Sequence, residues 1–568
     1  MNASLKTRQC IATIACIGML SNSIASAAPL CIDAVNPQYF YYNGKTTPLV
    51  GYSPEYICHL EQRAGTPEVT QLCNYNLDVA SGKRNFQRVI DDLALKHLNV
   101  LRVWVGLGHS PGGAAGPLPH EQPFAYDAMS GRWDLYTWNQ TFFDRLEEVV
   151  GYAQMKNVIV ELTLFDALSG DFRTSPWYLG KNSNGYVGLS DEWTLTAAPG
   201  TTCTPFSTST NIYSRQKALA EKLVAELNVY DNIYWELANE PELSIVKSGY
   251  NSSGAVVDDT VSVPRIVKWH ECMTDVLRNA EGTVASPKRH LIAANYHTQT
   301  ALTPFRTIIS PAYAPDVKIL NGHYIKVRDA GRFSATEKQR TYLNGGLQGI
   351  NRLYGFNEGR PTPSYRTAGS FDYITPDEAR AEAWEFMLSE GGLYNHYTTD
   401  WAVGPNGEQE PLQTRIQLGK LADFLAALGP NLRNLARSIN DPPTWAPNLP
   451  AFGTARGSSN VYWGAMHQSG SAYVLYIHHS NPSADSFKAY TKPASITPLN
   501  TLDLQPAAAG VNYTAEWINP ATGVRIGAAF TVPADGVRRT YTVPGYSYDI
   551  ALKVSNGVTV TTSGTCAL

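Results

Sequence analysis

The chain contains, at residues 233–241, the stretch Ile233-Tyr234-Trp235-Glu236-Leu237-Ala238-Asn239-Glu240-Pro241. This run is short and rich in β-branched and aromatic residues, which is typical of a buried strand rather than a helix. Pro241 has no backbone N–H group, so it helps to end the hydrogen-bond ladder there. The polar residues Asn239 and Glu240 therefore stand at the carboxyl end of a predicted core strand. In a barrel of parallel strands, catalytic side chains lie at that end.

Strand-like and helix-like segments alternate from about residue 45 to about residue 430 and form eight strand–helix units. The strands predicted besides the one that ends at Glu240 are Thr47–Tyr52, Asn99–Val105, Asn157–Phe165, His290–Tyr296, Val317–Tyr324, Leu353–Glu358 and Leu393–Tyr397. The predicted helices are Arg84–His97, Gln140–Lys156, Tyr213–Asn228, Pro264–Ala280, Pro304–Ile309, Ala335–Ile350, Asp377–Ser389 and Gln413–Leu428. Eight such units predict an α/β fold of the (β/α)₈ TIM-barrel type, with Glu240 after its fourth strand. A doubly wound open sheet is the alternative, but the glycine-rich phosphate turn that such sheets often carry is absent from the sequence.

The composition changes near Asp441-Pro442-Pro443, where Pro447 and Pro450 extend a linker-like stretch. Short alternating strands follow, and Asn519–Gly523 separates two of them as a hairpin loop. The predicted strands are Val461–His467, Ala472–His478, Tyr513–Ile518, Val524–Phe530, Arg538–Val543 and Ser547–Leu552. We therefore predict a barrel over residues 28–440 and a linker with a small all-β sandwich over residues 441–568.

The first residues have the features of an export signal. Lys6 and Arg8 precede the apolar run Cys10–Leu20, and Ala25-Ser26-Ala27 supplies the small residues at which a signal peptidase cuts. We expect residues 1–27 to be a signal peptide and the mature protein to be secreted or periplasmic. The apolar run is too short to span a bilayer, and no later segment is long and apolar enough for a membrane span.

Six cysteines lie outside the predicted signal: Cys31, Cys58, Cys73, Cys203, Cys272 and Cys566. An even number in an exported chain favours disulfides, and Cys58 with Cys73 is the most local of the possible pairs. No Cys-x-x-Cys or His-x-x-x-His spacing supports a metal site.

The formal net charge is −4 and no basic stripe occurs, so we expect no nucleic-acid partner.

Cleavage of a glycosidic bond requires two carboxyl groups, one to protonate the leaving oxygen and one to attack the sugar or activate water. Glu240 is the first candidate, and Asn239 beside it can donate a hydrogen bond to a sugar hydroxyl. An Asn-Glu-Pro triplet by itself is equally typical of a turn. Its place after the fourth predicted strand favours the catalytic interpretation. The chain also has 12 Trp and 32 Tyr residues, whose rings stack on sugars but also fill ordinary cores.

Residues 235–241 resemble the fourth-strand signature of clan A glycoside hydrolases, most closely the cellulase-like family 5. The resemblance covers roughly residues 35–430 and implies a (β/α)₈ barrel in which Glu240 is the general acid/base. It further implies a retaining glycoside hydrolase that acts on a β-linked poly- or oligosaccharide and needs no metal or organic cofactor.

The carboxy-terminal part resembles the small β-domain appended to several such enzymes. Its stretch Trp517–Gly523 is typical of a strand with a turn, which favours a role in supporting the barrel over carbohydrate binding.

The clan places a nucleophilic glutamate after strand seven, and two positions compete for that role. Glu358 follows the short apolar stretch Tyr354–Asn357. Glu390 follows a segment with helical spacing, and Gly391 and Gly392 behind it look like a helix C-terminal cap. Glu390 is therefore expected to end a helix and face solvent, and Glu358 is the predicted nucleophile.

The resemblance assigns further residues to substrate binding. Arg102 resembles the strand-two arginine that keeps the nucleophile ionised, since a nearby positive charge favours a carboxylate. His323-Tyr324 resembles the His-x-Tyr pair after strand six, with the difference that the tyrosine is adjacent and Ile325 takes the third place.

Trp401, after strand eight, resembles the aromatic platform beneath a bound sugar, although a core position is equally compatible. Asp166 ends the third strand and either contacts a sugar hydroxyl or caps the following turn.

Two rival functions share these features. A non-catalytic carbohydrate-binding or surface protein on a barrel would lose one glutamate, whereas a transglycosidase would use the same pair.

Overall fold

The computed structural model describes residues 28–54, 77–78, 81–105, 122–166, 176, 180–185, 203, 212–241, 259–296, 315–323, 352–359, 374–398, 410–483, 489–558 and 566–567. These residues form a closed barrel of eight parallel strands with helices around it, followed by an antiparallel β-sheet. The predicted (β/α)₈ barrel with an appended all-β region is thereby confirmed. No helix in this part of the chain is long and apolar enough to cross a membrane.

The barrel strands occur in chain order, and each is hydrogen-bonded in parallel to the next. They are β1 Leu49–Pro54, β2 Val100–Trp104, β3 Ile159–Asp166, β4 Ile233–Asn239, β5 Ile292–Tyr296, β6 Val317–His323, β7 Leu353–Glu358 and β8 Leu393–Thr398. Pairing of β8 with β1 closes the ring. The fourth strand is buried along its whole length. A strand covered on both faces needs such a nearly continuous apolar run, which is why the sequence signal there was clear.

Six helices are described around the barrel: α1 Asn85–Leu95, α2 Gln140–Met155, α3 Tyr213–Leu227, α4 Asp259–Thr283, α5 Pro376–Met387 and α6 Glu410–Ala427. In α1 the buried residues include Phe86, Val89, Ile90 and Leu93, which recur every three to four positions and so form one apolar face. The helices predicted at residues 304–309 and 335–350 lie outside the described residues.

A small sheet closes the floor of the barrel, where the strands begin. Its strands are ordered Cys566–Ala567, Cys31–Asp33, Phe40–Tyr42 and Lys45–Thr47. Leu30, Ile32 and Phe40 pack against the first residues of the barrel strands, such as Leu49 and Val100. A disulfide joins Cys31 to Cys566, and a second one joins Cys203 to Cys272. Cys58 and Cys73 lie outside the described residues.

The carboxy-terminal sheet has a central path of six antiparallel strands. They are β9 Ala436–Arg437, β10 Ser459–Gln468, β11 Ala472–Pro482, β12 Tyr513–Ile518, β13 Arg525–Val532 and β14 Asp549–Ser555, arranged in the order β9-β10-β11-β14-β12-β13. The predicted hairpin at Asn519–Gly523 joins β12 to β13. A separate two-stranded sheet, Thr501–Leu504 with Arg539–Thr542, packs over the outer face of this sheet.

Strand β11, in the middle of this sheet, is buried on both faces. Along β11, Tyr473, Leu475 and Ile477 belong to the outer apolar core, whereas Val474 and Tyr476 belong to the core of the barrel. Successive side chains of a strand point to opposite faces, so this alternation places β11 between two cores. The appended sheet therefore shares one hydrophobic core with the barrel.

Helix α5 carries most of the described polar contacts between the barrel and this sheet. Arg380 donates from Nε and Nη2 to the carboxylate of Asp549, at 2.7 and 3.0 Å. Glu385 lies 3.1 Å from Nε2 of His478. Gly464 of β10 approaches so closely that a Cβ atom there would lie 2.8 Å from the carbonyl oxygen of Glu385.

The structure corrects the environment expected for Glu390. The residue is only 9% exposed, and its side chain accepts a hydrogen bond of 2.8 Å from the backbone N–H of Arg437 in β9. Glu390 itself, with φ +65°, adopts the left-handed conformation after α5, rather than Gly391 or Gly392. The two glycines are needed for close packing instead, since Cβ atoms there would lie 2.3 Å from Phe386 and 2.4 Å from Gln38.

Candidate active site

Four predicted residues meet inside the carboxyl end of the barrel. Arg102 lies in β2, Glu240 directly follows β4, His323 ends β6 and Glu358 ends β7. All four are at most 3% exposed. Parallel strands bring their carboxyl ends to one face, so residues separated by up to 256 positions come into contact there.

The two candidate catalytic glutamates face each other across a short gap. One carboxylate oxygen of Glu240, one of Glu358 and a ring nitrogen of His323 all lie within 4.8 Å of one another. Nδ1 of His323 is 2.5 Å from Oε1 of Glu240 and 3.3 Å from Oε2 of Glu358. A carboxyl pair at this separation can act on opposite sides of one bond, as in retaining glycosidases, whose carboxyl groups are about 5–5.5 Å apart.

Arg102 holds Glu358 and Asn239 in place. Its Nη1 donates to Oε2 of Glu358 at 2.9 Å, and its Nη2 donates to Oδ1 of Asn239 at 2.7 Å. Because a guanidinium can only donate, the atom of Asn239 that it contacts must be the oxygen. The positive charge next to Glu358 favours the ionised form of that carboxyl group.

A second pair of glutamates, which the sequence reasoning did not select, lies beneath Arg102 in the barrel interior. Glu236 accepts from Nε and Nη2 of Arg102 and from the hydroxyl of Thr163, while Glu161 of β3 lies beside it. The side-chain amides of Asn321 and Asn357 each donate to both glutamates, at 2.6 to 3.0 Å. These residues form a buried polar layer under the candidate catalytic pair.

The pKa values of the two glutamates of this layer are shifted in opposite directions. Burial, together with the charge of Glu236, raises the pKa of Glu161 well above its ordinary value. Burial also acts to raise the pKa of Glu236, but the charge of Arg102 and the hydrogen bonds of the layer outweigh it and lower that pKa. Burial would lower the pKa of Arg102, but the charges of Glu236, Glu161 and Glu358 raise it instead. These shifts favour the neutral acid at Glu161 and the carboxylate that balances Arg102 at Glu236.

Asn295 of β5 connects Glu240 and His323 to this layer. Its Oδ1 accepts the backbone N–H of Glu240 at 2.9 Å, and its Nδ2 lies 2.5 Å from Nε2 of His323 and 3.1 Å from Oδ1 of Asn357. Glu240 has a φ of +43°, which is unusual for a residue with a side chain. The bond from its N–H to Asn295 helps to hold that conformation.

Glu240, His323 and Glu358 are also spaced so that they could hold a metal ion. A histidine ligand must present an unprotonated ring nitrogen to the metal. Nε2 of His323 accepts from Asn295, so Nδ1, the nitrogen that faces both carboxylates, carries the proton of the neutral ring. The donor set therefore fits proton transfer between carboxyl groups better than metal coordination.

The remaining predicted site residues are only partly covered by the structure. Asp166 ends β3, where its backbone pairs in register with Asn239 of β4. Tyr324 and Trp401 lie outside the described residues.

A period-two signal in the sequence could have revealed the missed layer. Polar residues recur at alternate positions within apolar strands, as Glu161 and Thr163 do in β3 and Asn321 and His323 do in β6. Alternate residues of a strand share one face, so such pairs mark the interior side of a barrel strand. Single polar residues such as Asn295 give no such pattern.

Comparison with known proteins supports a carbohydrate-active barrel. Residues 63–315 match the family model of cellulase, glycosyl hydrolase family 5. No curated protein matches the sequence. Among solved structures, a glycoside hydrolase aligns with a TM-score of 0.53 and 11% identity, over 93% of this chain and 97% of the other. A glycoside hydrolase family 5 protein from Bacteroides vulgatus aligns with a TM-score of 0.53 and 8% identity, over 93% of both chains. At such low sequence identities, the structural matches show a similar fold and nothing further.

Proposed function

Because residues 63–315 match the family model of cellulase, glycosyl hydrolase family 5, we propose that the protein is a secreted retaining glycoside hydrolase of this family. It uses Glu358 as nucleophile and Glu240 as general acid/base. The observation that carries this proposal is the placement of both carboxylates within 4.8 Å of each other at the carboxyl face of the barrel. This chemistry runs by double displacement and draws on carboxyl groups of the chain alone.

In the first step, the ionised carboxylate of Glu358 attacks the anomeric carbon, and protonated Glu240 gives its proton to the leaving oxygen. Arg102 supports the nucleophile, since its charge keeps Glu358 ionised before the attack. The amide group of Asn239, oriented by Arg102, is suited to donate to a sugar hydroxyl near the reacting carbon.

In the second step, Glu240 is a carboxylate and takes a proton from water, which attacks the anomeric carbon and releases Glu358. His323 contacts both glutamates and can donate its Nδ1–H to whichever oxygen carries more charge. We assign Tyr324, Trp401 and Asp166 to substrate binding, in keeping with the family resemblance. The substrate is a β-linked poly- or oligosaccharide.

Export of the protein accords with the two disulfides found among the described residues. Cys31–Cys566 and Cys203–Cys272 are compatible with an oxidising compartment, where such bonds persist. We therefore propose that residues 1–27 are removed as a signal peptide and that the enzyme works in the periplasm or outside the cell.

The test is activity of the purified protein on β-linked glucans, mannans, xylans and aryl glycosides. On any substrate that is cleaved, we expect Glu240→Gln to lose about 10²–10⁴-fold in kcat, in line with removal of a general acid/base. Glu358→Gln should lose at least as much. Glu221→Gln, on the outer surface of α3, is the matched control and should retain full activity.

The products separate the rival functions. Proton NMR of the first-formed sugar should show the anomeric configuration of the substrate, and an inverted product would refute the proposed roles. A predominance of transfer products in the presence of sugar acceptors would indicate a transglycosidase. Binding of glycans without cleavage, together with unchanged binding by Glu240→Gln, would indicate a non-catalytic carbohydrate-binding protein.

A further inference from the structure

Asn295 makes three hydrogen bonds that join the acid/base, the histidine and the polar layer. It is completely buried at the carboxyl end of β5. Oδ1 accepts the backbone N–H of Glu240 at 2.9 Å, Nδ2 lies 2.5 Å from Nε2 of His323, and Nδ2 is also 3.1 Å from Oδ1 of Asn357. In these contacts, the side chain of Asn295 does not contact the carboxylate of Glu240 or that of Glu358.

The hydrogen-bond partners determine the orientation of the Asn295 amide group. A backbone N–H can only donate, so the atom of Asn295 that faces Glu240 must be the oxygen. The contacts of Asn357 independently require the same orientation of the Asn295 amide group. Nδ2 of Asn357 donates to the carboxylate of Glu236, which can only accept, and to an oxygen of Glu161. Its own oxygen therefore faces Asn295 and requires a donor there. Nδ2 of Asn295 must therefore point to His323.

This orientation determines the state of His323. Nε2 faces an N–H donor, so it must be the unprotonated nitrogen, and Nδ1 carries the only ring proton. An imidazolium would place a second N–H against the Asn295 amide. Among the described residues, the charged groups that face the ring are the carboxyls of Glu240 and Glu358 at Nδ1, with Arg102 bound to the far side of Glu358. Two carboxylates would by themselves favour an imidazolium, and Asn295 opposes that charge.

We propose that Asn295 is a positioning residue that keeps His323 neutral with its proton on Nδ1, and thereby lets Glu240 hold its own proton for the first catalytic step. The inference rests on the proposed function, because it concerns the acid/base role of Glu240. An imidazolium next to Glu240 would favour the carboxylate form and leave fewer molecules with a proton to give.

The same side chain also holds the backbone of Glu240. The φ of +43° at Glu240 is costly for a residue with a Cβ atom, and the N–H bond to Asn295 supports it. Asn295→Asp separates the two effects, because an aspartate oxygen still accepts the N–H of Glu240. Its second oxygen would accept from Nε2 of His323 and so would stabilise the imidazolium.

The decisive experiment compares the pH dependence of Asn295→Asp with that of the wild-type enzyme. We expect the alkaline limb of kcat/KM to move to lower pH by about 1–3 units, as for a carboxyl group that gains a cationic neighbour. Hydrolysis of substrates with poor leaving groups should fall about 10²-fold, whereas an activated dinitrophenyl glycoside, which needs no acid, should be cleaved within about 3-fold of the wild-type rate.

The control is Asn232→Asp, which changes a fully buried asparagine at the opposite end of β4. It should lower thermal stability without shifting the pH profile. Equal losses on activated and unactivated substrates for Asn295→Asp, or an unshifted alkaline limb, would overturn the inference while leaving the proposed function intact. Inactivity of the wild-type protein on every glycoside would instead refute the proposed function and the inference with it.

A second measurement does not depend on turnover. Proteins labelled with ¹⁵N-histidine should give, for His323, the shifts of a neutral ring protonated at Nδ1, with the signal identified by its loss in His323→Asn. In Asn295→Asp both ring nitrogens should show the shifts of an imidazolium. A wild-type ring that is already charged at neutral pH, or one protonated at Nε2, would contradict the assignment.

Discussion

Arg102 is the only cation in the described contacts of the polar layer, and it faces Glu161, Glu236 and Glu358 at once. Three carboxylates around one buried guanidinium would leave uncompensated charge in a medium of low polarity, which is costly. A neutral Glu161 reduces that excess. At the scale of single residues, a proton kept on Glu161 therefore stabilises the site.

We expect Glu161→Gln to be tolerated and to flatten the pH dependence of stability. Burial raises the pKa of Glu161 in the folded protein, so the unfolded chain loses this proton at a lower pH than the folded one. Stability therefore falls as the pH rises from about 4.3, the ordinary glutamate pKa, towards the raised value. Glutamine mimics the neutral acid permanently. Urea unfolding at pH 5 and pH 8 should show a gain for the variant that is larger at pH 8, and a loss at pH 8 would contradict a neutral Glu161.

We expect the opposite result for Glu236→Gln. One oxygen of Glu236 accepts from Arg102 and Thr163 and the other from two asparagine amides, so an NH₂ group would face donors in either orientation. Removing one partner of a buried ion pair costs about 3–5 kcal/mol. Unfolding experiments should detect that loss, and kcat should fall because Arg102 loses its anchor. Glu161→Gln is the matched control in the same layer.

At the scale of elements, α5 and the appended sheet form one packed unit. A Cβ atom at Gly464 would lie 2.8 Å from the carbonyl oxygen of Glu385 and 3.1 Å from Cβ of Leu388. We expect Gly464→Ala to push β10 away from α5 and to destabilise the protein by about 1–3 kcal/mol, as overpacking usually does.

Chemical denaturation measures this effect, with Gly510→Ala as the control, because nothing lies within 4 Å of a Cβ atom there. Equal stability of the two variants would mean that the barrel and the sheet do not depend on this contact. A loss in Gly464→Ala would support the expectation that the sheet buttresses the barrel.

Most element boundaries could be predicted because they depend on local patterns. The predicted strand Leu353–Glu358 agrees with β7 at both ends, and the predicted helix Tyr213–Asn228 differs from α3 by one residue. Such agreement follows from continuous apolar runs in buried strands and from apolar stripes in helices. The short strands Cys31–Asp33 and Thr501–Leu504 were missed, since segments of three or four residues carry too little periodicity.

The polar site could be predicted only in part, for a different physical reason. Glu240 and Glu358 stand at strand ends beside recognisable motifs, whereas Glu161, Glu236 and Asn295 acquire their roles from partners on other strands. The hydrogen bond between Asn321 and Glu161 spans 160 positions of the sequence. No local pattern encodes such a pairing before the barrel closes.

At the scale of the whole molecule, the two ends of the described chain are fastened together below the barrel. The Cys31–Cys566 disulfide spans 535 positions and lies in the floor sheet, at the opposite end of the barrel from the glutamate pair. We expect the double variant Cys31→Ser and Cys566→Ser to lose about 2–4 kcal/mol of stability and to keep its kcat at 25 °C. Thermal unfolding and activity are measured on the same preparation. Lost activity in a fully folded variant would show that catalysis depends on this disulfide, contrary to the expectation.

The assignment of Glu358 as nucleophile and Glu240 as acid/base is tested most directly by azide rescue with an activated aryl β-glycoside. In Glu240→Ala, Glu358 still forms the glycosyl-enzyme, and azide then attacks its opposite face, so we expect a β-glycosyl azide. In Glu358→Ala, azide replaces the nucleophile itself, and the product should be the α-glycosyl azide. The reversed pair of products, or no rescue of either variant by azide, would contradict the account.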